Sequence, residues 1–82
     1  MKDAIRDILA KHGRLPVAAD TLADDADLHA AGLTSFGSVE VMMALEEEFG
    51  IEFPDRMLNR RNFASISAIA AAVQMVQTEA AA

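Results

Sequence analysis

Gly32-Leu33-Thr34-Ser35-Phe36-Gly37-Ser38-Val39-Glu40-Val41-Met42-Met43-Ala44-Leu45-Glu46-Glu47-Glu48-Phe49-Gly50 is the stretch on which the reading of this chain turns. Glycines bracket it, and from Ser35 onward the apolar residues recur at helical spacing. With Ser35 at zero and about 100° of rotation per residue, Val41, Met42, Leu45 and Phe49 share one sector. That sector is about 100° wide, the width of a core-facing stripe. Phe36, Val39 and Met43 fall on another side. Glu46 borders this second patch on one edge, and Glu40 and Glu47 border it on the other. The spacing predicts a helix from Ser35 to the residue before Gly50, with a core face and a second apolar face rimmed by acid. Periodicity alone leaves a single wide core stripe equally open.

Upstream, Asp27 to Ala31 reads as a short turn ended by Gly32. It closes a long connection, Arg14 to Thr34, of a length that in a small domain is often functional. Leu15, Leu22, Leu28 and Leu33 are expected to tack this loop to the core, while Asp20, Asp24, Asp25 and Asp27 keep it solvated. Before it, Met1, Ile5, Ile8, Leu9 and His12 mark one face of a first helix. Asp3 and Lys11 suit its dipole, and Gly13 is its natural stop. Downstream, Ile51 to Phe53 is an extended link. Pro54 opens a short third helix, roughly to Asn59. Ser65 is the N-cap of a last helix whose core stripe is Ile66, Ile69, Val73 and Val76. The alanines after Glu79 are expected to fray. The fold expected is all-α, a four-helix bundle with three long helices, one short third helix and a long first loop. Residues 1–82 form one domain, with neither repeat nor linker.

The 82 residues carry 7 basic and 13 acidic side chains, a formal charge of −6. Nucleic-acid binding needs a cationic footprint, so none is expected; basic protein surfaces are the natural partners. Cysteine is absent, which excludes disulfide scaffolds, cysteine zinc sites and thiol nucleophiles. No apolar run is long enough to span a bilayer. Met1-Lys2-Asp3 leads straight into an amphipathic pattern, which reads as cytosolic and monomeric, with no membrane contact.

Little in the chain looks catalytic. His12 and His29 have no serine or carboxylate partner at motif spacing, and a Ser35–His29 pair across a helix start fits no nucleophilic mechanism. Two solvent-exposed histidines are the simpler reading. Asp25 and Asp27 alternate as in a calcium loop, but its glycine and glutamate positions hold Ala30 and Phe36. No catalytic residue and no metal site are expected. Ser35 stands out by position, at a loop-to-helix transition. It reads either as an N-cap or as an attachment point, where a phosphoester would meet the positive end of a helix dipole. Gly37 in that first turn would let a large partner approach the backbone.

Taken together, Asp27-Leu28-His29-Ala30-Ala31-Gly32-Leu33-Thr34-Ser35-Phe36 resembles the acyl carrier protein signature, D-L-x-x-x-G-L-x-S-[LF]. Val39 to Pro54 is similar to that family's second helix and following turn. Phe63-Ala64-Ser65-Ile66-Ser67-Ala68-Ile69 resembles the start of its last helix. The resemblance covers nearly the whole chain. It implies a carrier protein, with no catalysis of its own. Ser35 would be modified by a phosphopantetheinyl transferase, with coenzyme A as donor of a 4′-phosphopantetheine arm. The arm's thiol would hold an acyl or aminoacyl group as a thioester and present it to successive enzymes. Phe36, Val39 and Met43 would form the docking patch, with Glu40, Glu46 and Glu47 as its acidic contacts.

Fatty-acid carriers usually read D-S-L-D around the serine. This chain reads Thr34-Ser35-Phe36-Gly37, and Arg56, Arg60 and Arg61 stand where the family is acidic. Arg56 and Arg60 are therefore expected to help select partners. The departures point away from housekeeping fatty-acid synthesis. They make the chain similar to small stand-alone bacterial aminoacyl carrier proteins, which are loaded by ATP-dependent ligases resembling truncated tRNA synthetases. The partners implied are the transferase, a loading ligase and a downstream acceptor enzyme. The alternative is an unmodified acidic interaction domain, docking one basic partner through the same patch.

Overall fold

The computed structural model describes residues 1–81. Three α-helices carry the fold: α1 (Lys2–His12), α2 (Ser35–Phe49) and α3 (Ile66–Ala81). There is no strand among the described residues. Of the alanines after Glu79 expected to fray, Ala80 and Ala81 continue α3, and Ala82 lies outside the described residues. The bundle is all-α, as the patterning requires, and α1 packs on both other helices.

The stripes read from spacing point inward. Ile5 and Leu9 of α1, Val41 and Leu45 of α2, and Ile66, Ile69 and Val73 of α3 are all fully buried. Burial of such side chains contributes about 1.5–3 kcal/mol each. Met1 precedes α1 and stays exposed, so the first stripe begins at Ile5. Gly50 ends α2 in the left-handed conformation (φ 62°), its N–H bonded to the Glu46 carbonyl. α1 ends at His12 with Gly13 as its C-cap, as expected, but without a left-handed glycine. Gly13 is right-handed (φ −76°), and Arg14 takes the left-handed position instead (φ 54°). Gly13 is buried, with its carbonyl oxygen facing Gly37 of α2.

The short third helix expected over Pro54 to Asn59 is a 3-10 turn, Asp55–Met57, and a second turn, Arg61–Phe63, follows beyond those bounds. Asn59 between them and Asn62 within the second compete with the backbone ladder. Asn59 Nδ2 donates to the Arg56 carbonyl and Asn62 Nδ2 to the Met57 carbonyl, while Asn59 Oδ1 accepts from Asn62 N. Met57 and Phe63 still bury their side chains, and Phe63 meets Phe53 edge-on at 5.7 Å.

The long loop is firmly tied. Leu28 and Leu33 are buried, with Leu15 and Leu22 packed against the core. Asp24 accepts hydrogen bonds from Arg6 and Lys2 of α1, and its main-chain carbonyl accepts from Ser67 N of α3. Those cations hold the Asp24 carboxyl below the ordinary aspartate range, the Arg6 hydrogen bond first and the Lys2 bond second. Leu28 N donates to the Ala64 carbonyl at 2.7 Å. The loop thus delivers its last residues, Leu33 and Thr34, to a defined place above the core.

Candidate functional site

Asp27 organises the turn that leads into the site. Its Oδ1 accepts from His29 N and Ala30 N, and its carbonyl accepts from Ala31 N. Gly32 follows with φ 118°, where a Cβ would also fall 2.7 Å from Pro16 Cδ. Both facts require glycine.

The hydroxyl assignments at the start of α2 fall one residue away from the N-cap reading of Ser35. Thr34 is the N-cap, extended at φ −84° and ψ 168°, and its Oγ1 accepts from Gly37 N at 3.0 Å. Ser35 is the first helical residue, exposed, and its hydroxyl makes no hydrogen bond among the described residues. The first turn of α2 has no acidic side chain. Its partial positive charge is therefore open to an anion. Gly37 faces inward: a Cβ there would lie 2.9 Å from the Gly13 carbonyl oxygen. Its missing side chain lets α1 and α2 approach, and does not serve an incoming partner as expected from the sequence.

A groove of about 350 Å³ opens beside Ser35, between α2 and the two 3-10 turns. Val39, Met42, Leu58 and Phe63 supply its apolar wall. Ser38 Oγ also lines it, buried and without a hydrogen-bond partner among the described residues. An orphaned hydroxyl of this kind costs roughly 1–3 kcal/mol until a partner satisfies it. His29 closes one side. Its Nε2 lies 3.1 Å from the Arg60 carbonyl oxygen and its Nδ1 3.4 Å from that of Leu33. Both nitrogens thus face main chain, not Ser35. His29 is half-buried and bridges loop and turn, unlike the solvent-exposed histidine expected, and His12 is half-buried too.

The two faces of α2 separate cleanly. Phe36, Val39 and Met43 are 65%, 52% and 60% exposed, while Val41 and Leu45 are fully buried. Glu47 is exposed one turn beyond Met43. Glu46, expected on the acidic rim, turns away: its Oε2 accepts from Phe53 N at 2.8 Å and anchors the link after α2. Arg56 is ion-paired with Glu79. Arg60 and Arg61 are exposed and make no ion pair among the described residues.

Sequence reasoning missed Arg14. Its Nη2 lies 3.0 Å from Glu40 Oε1, and its guanidinium carbon sits 5.3 Å from the centre of the Phe36 ring. A left-handed non-glycine residue costs roughly 1–2 kcal/mol. An exposed ion pair returns about 0–1 kcal/mol and an exposed cation–π contact about 0.5–1 kcal/mol. The terms nearly cancel. The only sequence signal was an arginine placed straight after a helix-ending glycine.

No group of three or more potential metal ligands occurs among the described residues, and no helix there is long and apolar enough to cross a membrane.

Comparison with known proteins gives these features a family. An aminoacyl carrier protein of Agrobacterium fabrum is 58% identical over 76 residues, 93% of this chain and 92% of that protein. A chain from the crystal structure of an engineered Bradyrhizobium japonicum glycine:[carrier protein] ligase, complexed with carrier protein from Agrobacterium tumefaciens and AMP, superposes with a TM-score of 0.88. It is 59% identical and matches over 90% of this chain and 99% of that one. A solution structure from Agrobacterium tumefaciens gives a TM-score of 0.79 at 55% identity, with both chains fully covered. The phosphopantetheine attachment site model matches residues 3–73. That match spans the Thr34–Ser35 junction, the groove and most of the bundle, and it makes this chain a member of the phosphopantetheine-attachment family of carrier proteins.

Proposed function

We propose that Ser35 is the attachment site of 4′-phosphopantetheine and that the chain is a specialised aminoacyl carrier. The observation that carries this is the division of labour at the start of α2. Thr34 caps the helix, so the Ser35 hydroxyl is free, exposed and at the positive helix end. The residues around it fit the arm. The groove is apolar enough for its alkyl parts, and Ser38 Oγ offers an unpartnered hydroxyl to its amides. When bound, the arm supplies a thiol that holds an aminoacyl group as a thioester, a thiol this cysteine-free chain lacks.

The chain's own residues position the arm and receive partners; none performs the chemistry. Phe36, Val39 and Met43 form the docking patch, with Glu40 and Glu47 at its acidic edge and Arg60 across the groove. Glu46 is engaged inside the fold by Phe53 N and Arg56 on the surface by Glu79, so neither is assigned to docking. The partners are a phosphopantetheinyl transferase, an ATP-dependent amino acid:carrier-protein ligase and an acceptor enzyme, in the cytoplasm. The ligase complex of the related Agrobacterium carrier supports the second of these.

Intact mass of protein expressed with a broad-specificity phosphopantetheinyl transferase tests the reading. The expected result is a gain of one phosphopantetheine on Ser35 and none in Ser35→Ala. The modified protein is then expected to accept glycine from the Bradyrhizobium ligase and ATP. Modification at Ser38 or Ser65 would refute the site. Bare protein from the native host as well would leave an unmodified acidic docking domain.

A further inference from the structure

Arg14 is exposed at the end of α1. Its ion pair with Glu40 Oε1 at 3.0 Å and its cation–π contact over the Phe36 ring at 5.3 Å both fall on residues of the docking patch. It is also the one non-glycine residue with positive φ among the described residues. Glycine would hold that turn without strain, so the arginine is there for its side chain. Under its cover only 28% of the Glu40 side chain is exposed, while the Arg14 side chain itself is 67% exposed.

We propose that Arg14 is a specificity-determining residue of the docking surface. It occupies Glu40 and the adjacent edge of Phe36, so a partner that reads Glu40 with its own cation must first displace the guanidinium. A partner that leans on Val39, Met43 and Glu47 leaves Arg14 in place. The residue discriminates by raising the cost of one approach, the repulsive half of specificity. Because the ion pair is exposed and the strained backbone opposes it, displacement is within reach of a well-placed partner cation. The occupant of this edge is a cationic protein surface, since the carboxylate under Arg14 is what becomes available when it moves. This inference rests on the docking role proposed for α2.

The ligase is assigned to the partners that read Glu40, and the test measures association of the phosphopantetheinylated protein with the Bradyrhizobium glycine:[carrier protein] ligase as the probe, at low and high salt. Arg14→Gln removes the charge and keeps the backbone. It is expected to strengthen binding about two- to thirtyfold at low salt, the range set by one exposed ion pair and one stacking contact. The gain shrinks as salt rises. It vanishes in a Glu40→Gln background, because the released carboxylate is then missing. Arg14→Lys, which keeps the ion pair and loses the flat stack on Phe36, falls between. Unchanged or weaker binding of Arg14→Gln, while Met43→Gln still weakens binding, overturns the role of Arg14 and leaves the docking patch standing. If Met43→Gln and Glu47→Gln are also without effect, the docking patch itself is wrong and this inference falls with it.

Discussion

Thr34 and Ser35 are adjacent hydroxyls with opposite expected behaviour. Thr34 Oγ1 satisfies the Gly37 N–H, one of the orphan donors at the start of α2. Thr34→Ala removes that bond, and loss of such a cap costs about 1 kcal/mol within a range of roughly 0.5–2. For a domain of this size each kcal/mol moves Tm by about 4–8 °C. Ser35 Oγ has no hydrogen-bond partner among the described residues and is exposed. At a helical position alanine is the better helix former by a few tenths of a kcal/mol, so Ser35→Ala is expected to stay within about 0.5 kcal/mol of the parent. Urea unfolding followed by circular dichroism measures both, with the m-value held as a check that compactness is unchanged. Intact mass after incubation with coenzyme A and a transferase supplies the functional axis. Thr34→Ala is expected to be less stable and still modified; Ser35→Ala is expected to be stable and bare. If Ser35→Ala loses as much stability as Thr34→Ala, Ser35 carries the cap and the argument for its freedom fails.

Gly37→Ala places a methyl 2.9 Å from the Gly13 carbonyl oxygen and 3.3 Å from Leu33 Cδ1. Overpacking of about 1–3 kcal/mol outweighs a helix-propensity gain of at most about 1 kcal/mol, so a lower urea midpoint is expected. Glu46→Ala strands the half-buried Phe53 N–H and is expected to cost about 1–3 kcal/mol with ligase binding unaltered. Glu47→Ala is expected to do the reverse, slowing ligase association within about 0.5 kcal/mol of parental stability; identical profiles for the two would place them on one rim. Asp24 sets an acid dependence. Its folded pKa is lowered by Arg6 and Lys2, so its contribution is present above the unfolded value of about 3.9 and is lost as pH falls through the lower folded value. Asp24→Asn is expected to be less stable near neutrality and to show a shallower decline below about pH 4; an unchanged acid limb would remove the Arg6–Asp24–Lys2 contact from the account.

Much of the fold was legible because its determinants are local. The limits of α2 follow from Gly50, from the hydroxyl pair before Phe36 and from a repeating apolar stripe, all within a few residues of one another. The exposed patch of Phe36, Val39 and Met43 follows from the same periodicity, and its exposure resolves the ambiguity of a wide stripe. Ser35 was singled out by family signature and position, and the proposal for it rests on its exposed hydroxyl beside the Thr34 cap. The third helix was misread because asparagine side chains, whose competition with main chain is weakly visible in a pattern of apolar residues, divide that segment into two turns.

Local order along the chain thus settles which segments are helical and which faces carry apolar side chains, since both depend on spacing measured in single turns. Partner choice among polar side chains depends on what the packed helices bring within a few ångströms. Thr34 rather than Ser35 as the cap, Glu46 bonded to Phe53 N, Gly37 against Gly13, and Arg14 lying across Glu40 and Phe36 all belong to that second kind. Hydrogen bonds and ion pairs fail within an ångström of misplacement, whereas a hydrophobic stripe tolerates it, and so the core was readable in one dimension while the working details of the surface were set in three.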